Sequence, residues 1–357
     1  MTGARIRLAL AAALGAAAAG CTTTIKESTP FTANVAQERA LPEKPEPAER
    51  KPADASSARG DRGDGRPAAP ADAPPGKHDP QIENDLELLV EIDGLLQKWV
   101  TALNLADDGE REAAAGKLRP LADAHHQRLL RFVAGTDLEA RIVASGALGF
   151  STRPDALPIL LESLRDANPY VRSNSALSLG LIGNKELPKE PFLNLLTDPE
   201  SAVRGSAAFA LSRLVRRGVD SAAVPVLIDA LKDKHFAVRN ESVRALAVLG
   251  DRRATRPLLE STFSDPYFLI RLNTAVALAR LQDPRAIGPL IEAISDPDEN
   301  IRKAARWSLS EITRAGVEDT DAAWRAWWAA NREQVAKDIL EGRGTSGTSE
   351  VDLGPGR

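Results

Sequence analysis

DPESAVRGSAAFALSRLV, residues 198–215, and DKHFAVRNESVRALAVLG, residues 233–250, are one pattern written twice. Each opens on Asp and reaches Arg six residues later, with Val before the Arg. A small residue and then Leu follow at the sixth and seventh positions beyond that Arg. Three more copies stand in register: DANPYVRSNSALSLGLIG (166–183), DPYFLIRLNTAVALARLQ (265–282) and DPDENIRKAARWSLSEIT (296–313). LEARIVASGALG, around Arg141, reads as a degenerate first copy. The period is 31 to 35 residues, the range of stacked helical units.

The register defines a set of like positions. The β-branched residues before the Arg are Val171, Val203, Val238, Ile270 and Ile301. The small residues are Ser178, Ala210, Ala245, Ala277 and Ser308, and the leucines are Leu179, Leu211, Leu246, Leu278 and Leu309. Each copy follows a shorter apolar stretch with Pro158, Pro225, Pro257 or Pro289 near its start, and proline is tolerated in a first helical turn. The Asp-Pro pairs at 198, 265 and 296 read as an N-cap and first helical residue. Each unit is then helix, tight turn, helix. One unit cannot hide its apolar faces alone, whereas a stack of six can.

These in-register residues resemble the HEAT-repeat family in its bacterial form. The resemblance covers 135–316 and implies an all-α fold, a right-handed α-solenoid of about six helix-turn-helix repeats. It further implies a ladder of charges in which Asp166, Asp198, Asp233, Asp265 and Asp296 pair with Arg172, Arg204, Arg239, Arg271 and Arg302, within or between repeats. A row of catalytic acids is the competing reading, but active sites do not recur once per repeat. In the family the second helices line the concave face. Counted from each Arg, positions two, five and nine escape the small-or-Leu pattern. They give Asn174, Leu177 and Leu181; Ser206, Phe209 and Arg213; Glu241, Arg244 and Val248; Asn273, Val276 and Arg280; Trp307 and Glu311. Aromatic and Arg side chains are favoured interface anchors, so this face is the candidate groove for a protein segment, acidic ones included. A solvated face without a partner is the alternative.

The segments around the repeats carry other signals. Arg5 and Arg7 precede a short apolar run, Leu8 to Ala19, in the manner of a secretory signal over residues 1–20. Ala18-Ala19-Gly20-Cys21 resembles the lipobox of bacterial lipoproteins, with Ala18 where that family prefers Leu. The resemblance implies lipidation of Cys21, the sole cysteine, and a place on the periplasmic side of the cell envelope. Thr22 then points to the outer membrane ahead of the inner. Ordinary signal cleavage with an incidental thiol is the alternative. Residues 21–80 are rich in Pro, Ala and charge and lack large apolar side chains, the composition of a disordered linker. As a coil it spans about 45 Å. Two Arg-Gly-Asp triplets, at 59–61 and 62–64, read as part of that polar linker.

Residues 81–134 are expected to form N-terminal helices. The first has an apolar stripe of Ile82, Leu86, Leu89, Leu96, Trp99, Val100 and Leu103, and could instead pair two copies of the chain. A second runs from about Gly109 to Lys117, and Pro120 opens a third that continues through Val133. Residues 317–341 contain Trp324, Trp327 and Trp328 on one helical face, continued by Val335 and Ile339. This is read as a cap over the last repeat rather than an aromatic platform for a sugar or peptide. The tail, 342–357, is rich in Gly, Ser and Thr and expected to be disordered.

Chemistry is not signalled anywhere in the chain. A net charge of -4 gives no general attraction to nucleic acid. The four histidines, His78, His125, His126 and His235, show no metal-ligand spacing, and His125 and His126 point apart on one helix. Some HEAT-repeat enzymes hold iron through His-Glu pairs, but no His-Glu dipeptide occurs here. No phosphate loop or nucleophile elbow is present. The expectation is a non-catalytic scaffold with no cofactor and no metal, an unknown protein partner, and a lipid anchor on a membrane. A phycobilin-lyase-like or accessory enzyme component that presents a substrate is the runner-up.

Overall fold

The computed structural model describes residues 80–104 and 107–341. The signal-like segment, Cys21, nearly all of the linker and the C-terminal tail lie outside the described residues. Fifteen α-helices and no strand occur among the described residues. The N-terminal helices are α1 (Pro80–Asn104), α2 (Asp108–Ala124), α3 (His126–Ala134) and α4 (Leu138–Ala147). Five two-helix units follow: α5 (Leu157–Ser163) with α6 (Pro169–Ile182), α7 (Glu190–Leu195) with α8 (Ser201–Leu214), and α9 (Val224–Ala230) with α10 (Phe236–Leu249). Then come α11 (Thr255–Ser261) with α12 (Phe268–Leu281), α13 (Ile287–Ala293) with α14 (Glu299–Thr313), and α15 (Asp321–Leu340). With α3 and α4 as the degenerate first copy, the array has six units.

The architecture is an α-solenoid. The long second helices pack in series, α4 on α6, α6 on α8, α8 on α10, α10 on α12 and α12 on α14. Short first helices lie against their own second helix on one side of that row. The in-register apolar positions build the core. Leu179, Leu211, Leu246, Leu278 and Leu309 are all fully buried, as are Val171, Val203 and Val238. Small residues let neighbouring backbones meet: a Cβ on Gly180 of α6 would lie 2.9 Å from Ala210 Cα in α8. The prolines of the first helices fall within the first turn, where no intrahelical N–H bond is lost.

Three expectations about local structure need correction. First, the inward face of α1 is set by Leu88, Ile92, Leu96, Trp99 and Val100, whereas Leu86 is 58% exposed. Leu88 and Ile92, absent from the expected stripe, complete an i, i+4, i+8, i+11 face with Leu96 and Trp99. Leu86 stands two residues off that face. Second, Pro120 lies inside α2 and does not open a new helix. Its missing N–H would have bonded the carbonyl of Gly116, an exposed residue where water can substitute. The break falls at His125, which ends α2 and precedes α3.

Third, the repeat aspartates are not the helix N-caps. Those positions are held by Asn168, Glu200, His235, Tyr267 and Asp298, two residues further on. Each Asp instead accepts the N–H of that N-cap residue, 2.7 to 2.9 Å away, in an Asx-type turn. The turn leaves the second carboxylate oxygen of Asp166, Asp198, Asp233 and Asp265 facing the preceding repeat.

Candidate functional site

The repeated charges lie at the seams. Arg172 Nε and Nη2 donate to the two carboxylate oxygens of Asp198 at 2.9 and 3.1 Å. Arg204 forks onto Asp233 at 2.7 and 3.1 Å, and Arg239 onto Asp265 at 2.7 and 3.0 Å. Arg141 of the first copy makes a looser ion contact with Asp166 at 3.3 Å. The third guanidinium nitrogen, Nη1, turns back to the main chain of its own repeat, to the carbonyls of Asp166, Asp198 and Asp233 for these three arginines. One Arg therefore ties its own entry turn to the next repeat. Burial raises the Asp233 carboxyl, but the Arg204 fork and the His235 N–H outweigh it and hold the group below the usual carboxylate range.

The ladder has one missing rung. Arg271 Nη1 donates to the carbonyls of Asp265 and Pro266, and no carboxylate receives its side chain. Asp296 accepts only the N–H of Asp298, while Arg302 turns to Glu299 in its own helix.

The expected concave groove is open only in part. Position two after each Arg lies between helices. Asn174 is buried and donates to the Ile142 carbonyl at 2.9 Å, and Asn273 donates to Asn240 Oδ1 at 2.8 Å. Glu241 is buried as well, accepting from Ser212 Oγ at 2.8 Å and from Arg244 Nη1 at 3.0 Å. At position five, Phe209 is only 7% exposed, with the Arg213 guanidinium over its ring, while Arg244 and Trp307 are half-buried. At position nine the face opens: Val248 is 42% exposed, and Arg280 and Glu311 are exposed. Exposure thus rises toward the C-terminal ends of the second helices. Asn174, Phe209 and Glu241 are corrected from groove residues to parts of the helix seams.

The tryptophans divide in the same way. Trp324 is fully buried, with Trp327 edge-on at 5.8 Å between ring centroids. Trp327 and Trp328 are half-buried against the core, and Val335 continues the buried face. Helix α15 packs on α13, and the Trp328 ring lies over Gly288. The helix thus lies against the first helix of the last repeat.

One polar cluster gave no signal in the sequence. His126 is buried, with Nδ1 2.8 Å from Ser151 Oγ and Nε2 2.6 Å from Asp155 Oδ1, the latter outside hydrogen-bond angle. Ser151 donates its hydroxyl hydrogen to Asp123 at 2.9 Å. Serine, histidine and aspartate do meet here, but the hydroxyl proton is committed to Asp123 and Ser151 is itself buried. The cluster ties the α2–α3 break to the loop before α5. Its members lie 25 and 28 residues apart in the pairs that matter, which no local motif encodes. Among the described residues no group of three or more His, Cys, Asp or Glu could hold a metal, and no helix is long and apolar enough to cross a membrane.

Comparison with known proteins places the repeats. A family model for HEAT repeats matches residues 189–272 and 255–342, and one for a single HEAT repeat matches 156–185. Solved structures with a similar course include YibA of Escherichia coli, at 18% identity and a TM-score of 0.46, over 77% of this chain and 100% of that one. An archaeal HEAT-like repeats protein from Thermococcus onnurineus NA1 aligns at 15% identity and a TM-score of 0.40, over 64% and 96%. Human deoxyhypusine hydroxylase aligns at 21% and a TM-score of 0.27, over 72% and 96%. No curated protein matches the sequence.

Proposed function

We propose that this HEAT-repeat solenoid is a non-catalytic scaffold that binds a protein partner, held on the bacterial envelope by a lipid on Cys21. The observation that carries the binding role is the division of labour along the second helices. Their N-terminal ends are consumed by the Arg–Asp forks at the seams. Their C-terminal ends leave Val248, Arg280 and Glu311 exposed, with half-buried Trp307 nearby along the row. A surface built this way is rigid, extended over several repeats and chemically mixed, which suits a protein ligand better than a small molecule. The anchor reading rests on the lipobox-like Ala18 to Cys21 and the charged linker behind it.

Two experiments test the two halves. Full-length protein captured from membranes should bring down a defined partner that Val248→Asp releases while the helical signal is unchanged. Retention of every partner by that variant would remove the binding role. Cys21→Ser should move the protein to the soluble fraction, and mass spectrometry should find diacylglycerol on the wild-type Cys21. A mutant that stays with membranes after a salt wash would remove the anchor.

A further inference from the structure

A row of arginines follows the edge where the second helices end. Arg213 is next to last in α8 and Arg217 follows that helix; Arg252 follows α10; Arg280 is next to last in α12; Arg314 caps α14. Three of them reach a neighbouring repeat. Arg213 Nε donates to the Gly180 carbonyl near the end of α6 at 3.0 Å. Arg217 lies over Gly250, the C-cap of α10, where an added Cβ would meet its guanidinium at 2.8 Å. Arg252 Nη2 donates to the carbonyl of Gln282, the C-cap of α12, at 2.6 Å.

The carbonyl ends of helices explain why guanidinium groups sit there. They do not neutralise them. Neighbouring arginines on the same edge have carboxylates: Arg216 pairs with Glu186, Arg253 with Asp251 and Arg285 with Asp283. Among the described residues Arg213, Arg217, Arg252, Arg280 and Arg314 have no such partner. Four of the five are exposed, and Arg213 is half-buried. Val248 occupies in α10 the position that Arg213 and Arg280 occupy in α8 and α12, so apolar surface interrupts the charge.

We propose that this edge binds an acidic peptide laid across the repeats in extended form; the inference rests on the protein-binding role given above and names the chemistry of the partner. Packed helices stand about 8–10 Å apart. A polyproline II strand turns once in three residues and rises about 9 Å in doing so. Acidic side chains at every third position would therefore come level with one repeat after another, each meeting a guanidinium that can grip a carboxylate with two N–H groups. Residues between them can reach Val248. A nucleic acid fits less well, because exposed Val248 interrupts the row of charge with an apolar contact that a peptide side chain can use and a phosphate backbone cannot.

The test is fluorescence polarisation with the full chain in detergent. The probe is a labelled peptide with Glu at every third position, compared with its Gln counterpart. Expected are binding of the Glu peptide that weakens as salt rises, and at least about a tenfold loss in the Arg217→Glu/Arg252→Glu/Arg280→Glu variant. Arg280→Gln alone, at a side chain with no hydrogen bond among the described residues, should show part of the loss with a melting temperature close to that of the wild type. Equal binding of the Gln peptide, or undiminished binding by the triple variant, overturns the proposal. So does tighter binding of an oligonucleotide or of phosphatidylglycerol vesicles that displaces the peptide. If the Glu peptide binds nothing while Val248→Asp still releases a membrane-captured partner, this inference fails and the scaffold reading stands.

Discussion

Arg204 and Asp233 belong to different repeats, yet they form a two-pronged ion pair at 2.7 and 3.1 Å in which both side chains are nearly enclosed, 8% and 13% exposed. An exposed pair would contribute little, but a pair withdrawn from water leaves a costly orphan when one member goes. Arg204→Met should cost about 3 kcal/mol in urea unfolding. Arg204→Lys should recover only part of this, because an ammonium cannot fork onto the carboxylate and the Asp198 carbonyl together. A loss under about 0.5 kcal/mol for Arg204→Met would show that the rung is ornamental.

Gly180 and Gly116 separate two meanings of glycine in a helix. At Gly180 a new methyl would come within 2.9 Å of Ala210 Cα and 3.0 Å of the Phe209 ring. Gly180→Ala should destabilise by about 1–3 kcal/mol despite better helix propensity. At Gly116 nothing lies within 4 Å, and Gly116→Ala should stabilise by about 0.5–1 kcal/mol. Thermal melts of the two variants should move in opposite directions.

Leu246 is fully enclosed within the third of the five clear copies. Leu246→Ala should cost about 2–5 kcal/mol. Because repeat arrays unfold by neighbouring contacts, the denaturant transition should also broaden or split. A single transition at the wild-type midpoint would contradict the packing.

His235 gives the fold a weak sensitivity to acid. Its ring stacks on Phe236 at 5.2 Å and its Nδ1 has no hydrogen-bond partner. Burial depresses the imidazole pKa below its usual 6.5, Asp233 opposes the shift, and Arg204 and Arg239 deepen it. The unfolded chain then binds the proton more readily than the folded one. Stability from this residue is present above about pH 6.5 and is lost as pH falls through the folded value. The melting temperature of His235→Gln should fall less than that of the wild type between neutral and mildly acidic pH. Parallel curves would remove the assignment.

The repeat was legible because every copy buries the same positions, so Leu179 through Leu309 announce themselves by spacing alone. The groove was not. Sequence register reports angle around a helix, but it does not report how close the next helix stands. Small residues such as Ser178 and Ala210, with Gly180, draw the second helices together, and Asn174, Phe209 and Glu241 fall into the seams that result. Openness varies along the helix rather than around it, so Arg217, Arg252 and Arg314, which lie past the regular helical positions, are not marked by the register. The Asp-Pro pairs misled for a related reason: a carboxylate can cap a helix or brace the preceding repeat, and at Asp198 and Asp265 the arginines Arg172 and Arg239 decide in favour of bracing. The His126 cluster depends on a chain reversal that no periodicity marks.

The rung missing between Arg271 and Asp296 gives the array a direction of failure. A stack held by nearest neighbours parts first where the fewest bonds cross, and the crossing from α12 to α14 lacks the clasp that fastens α6 to α8, α8 to α10 and α10 to α12. Loss of structure should begin there, freeing α13, α14 and α15 as a block while the middle of the array stays zipped. Amide hydrogens in those three helices should exchange together and ahead of those in α8 and α10. The solenoid is then less a uniform rod than a stiff spine with a breakaway end.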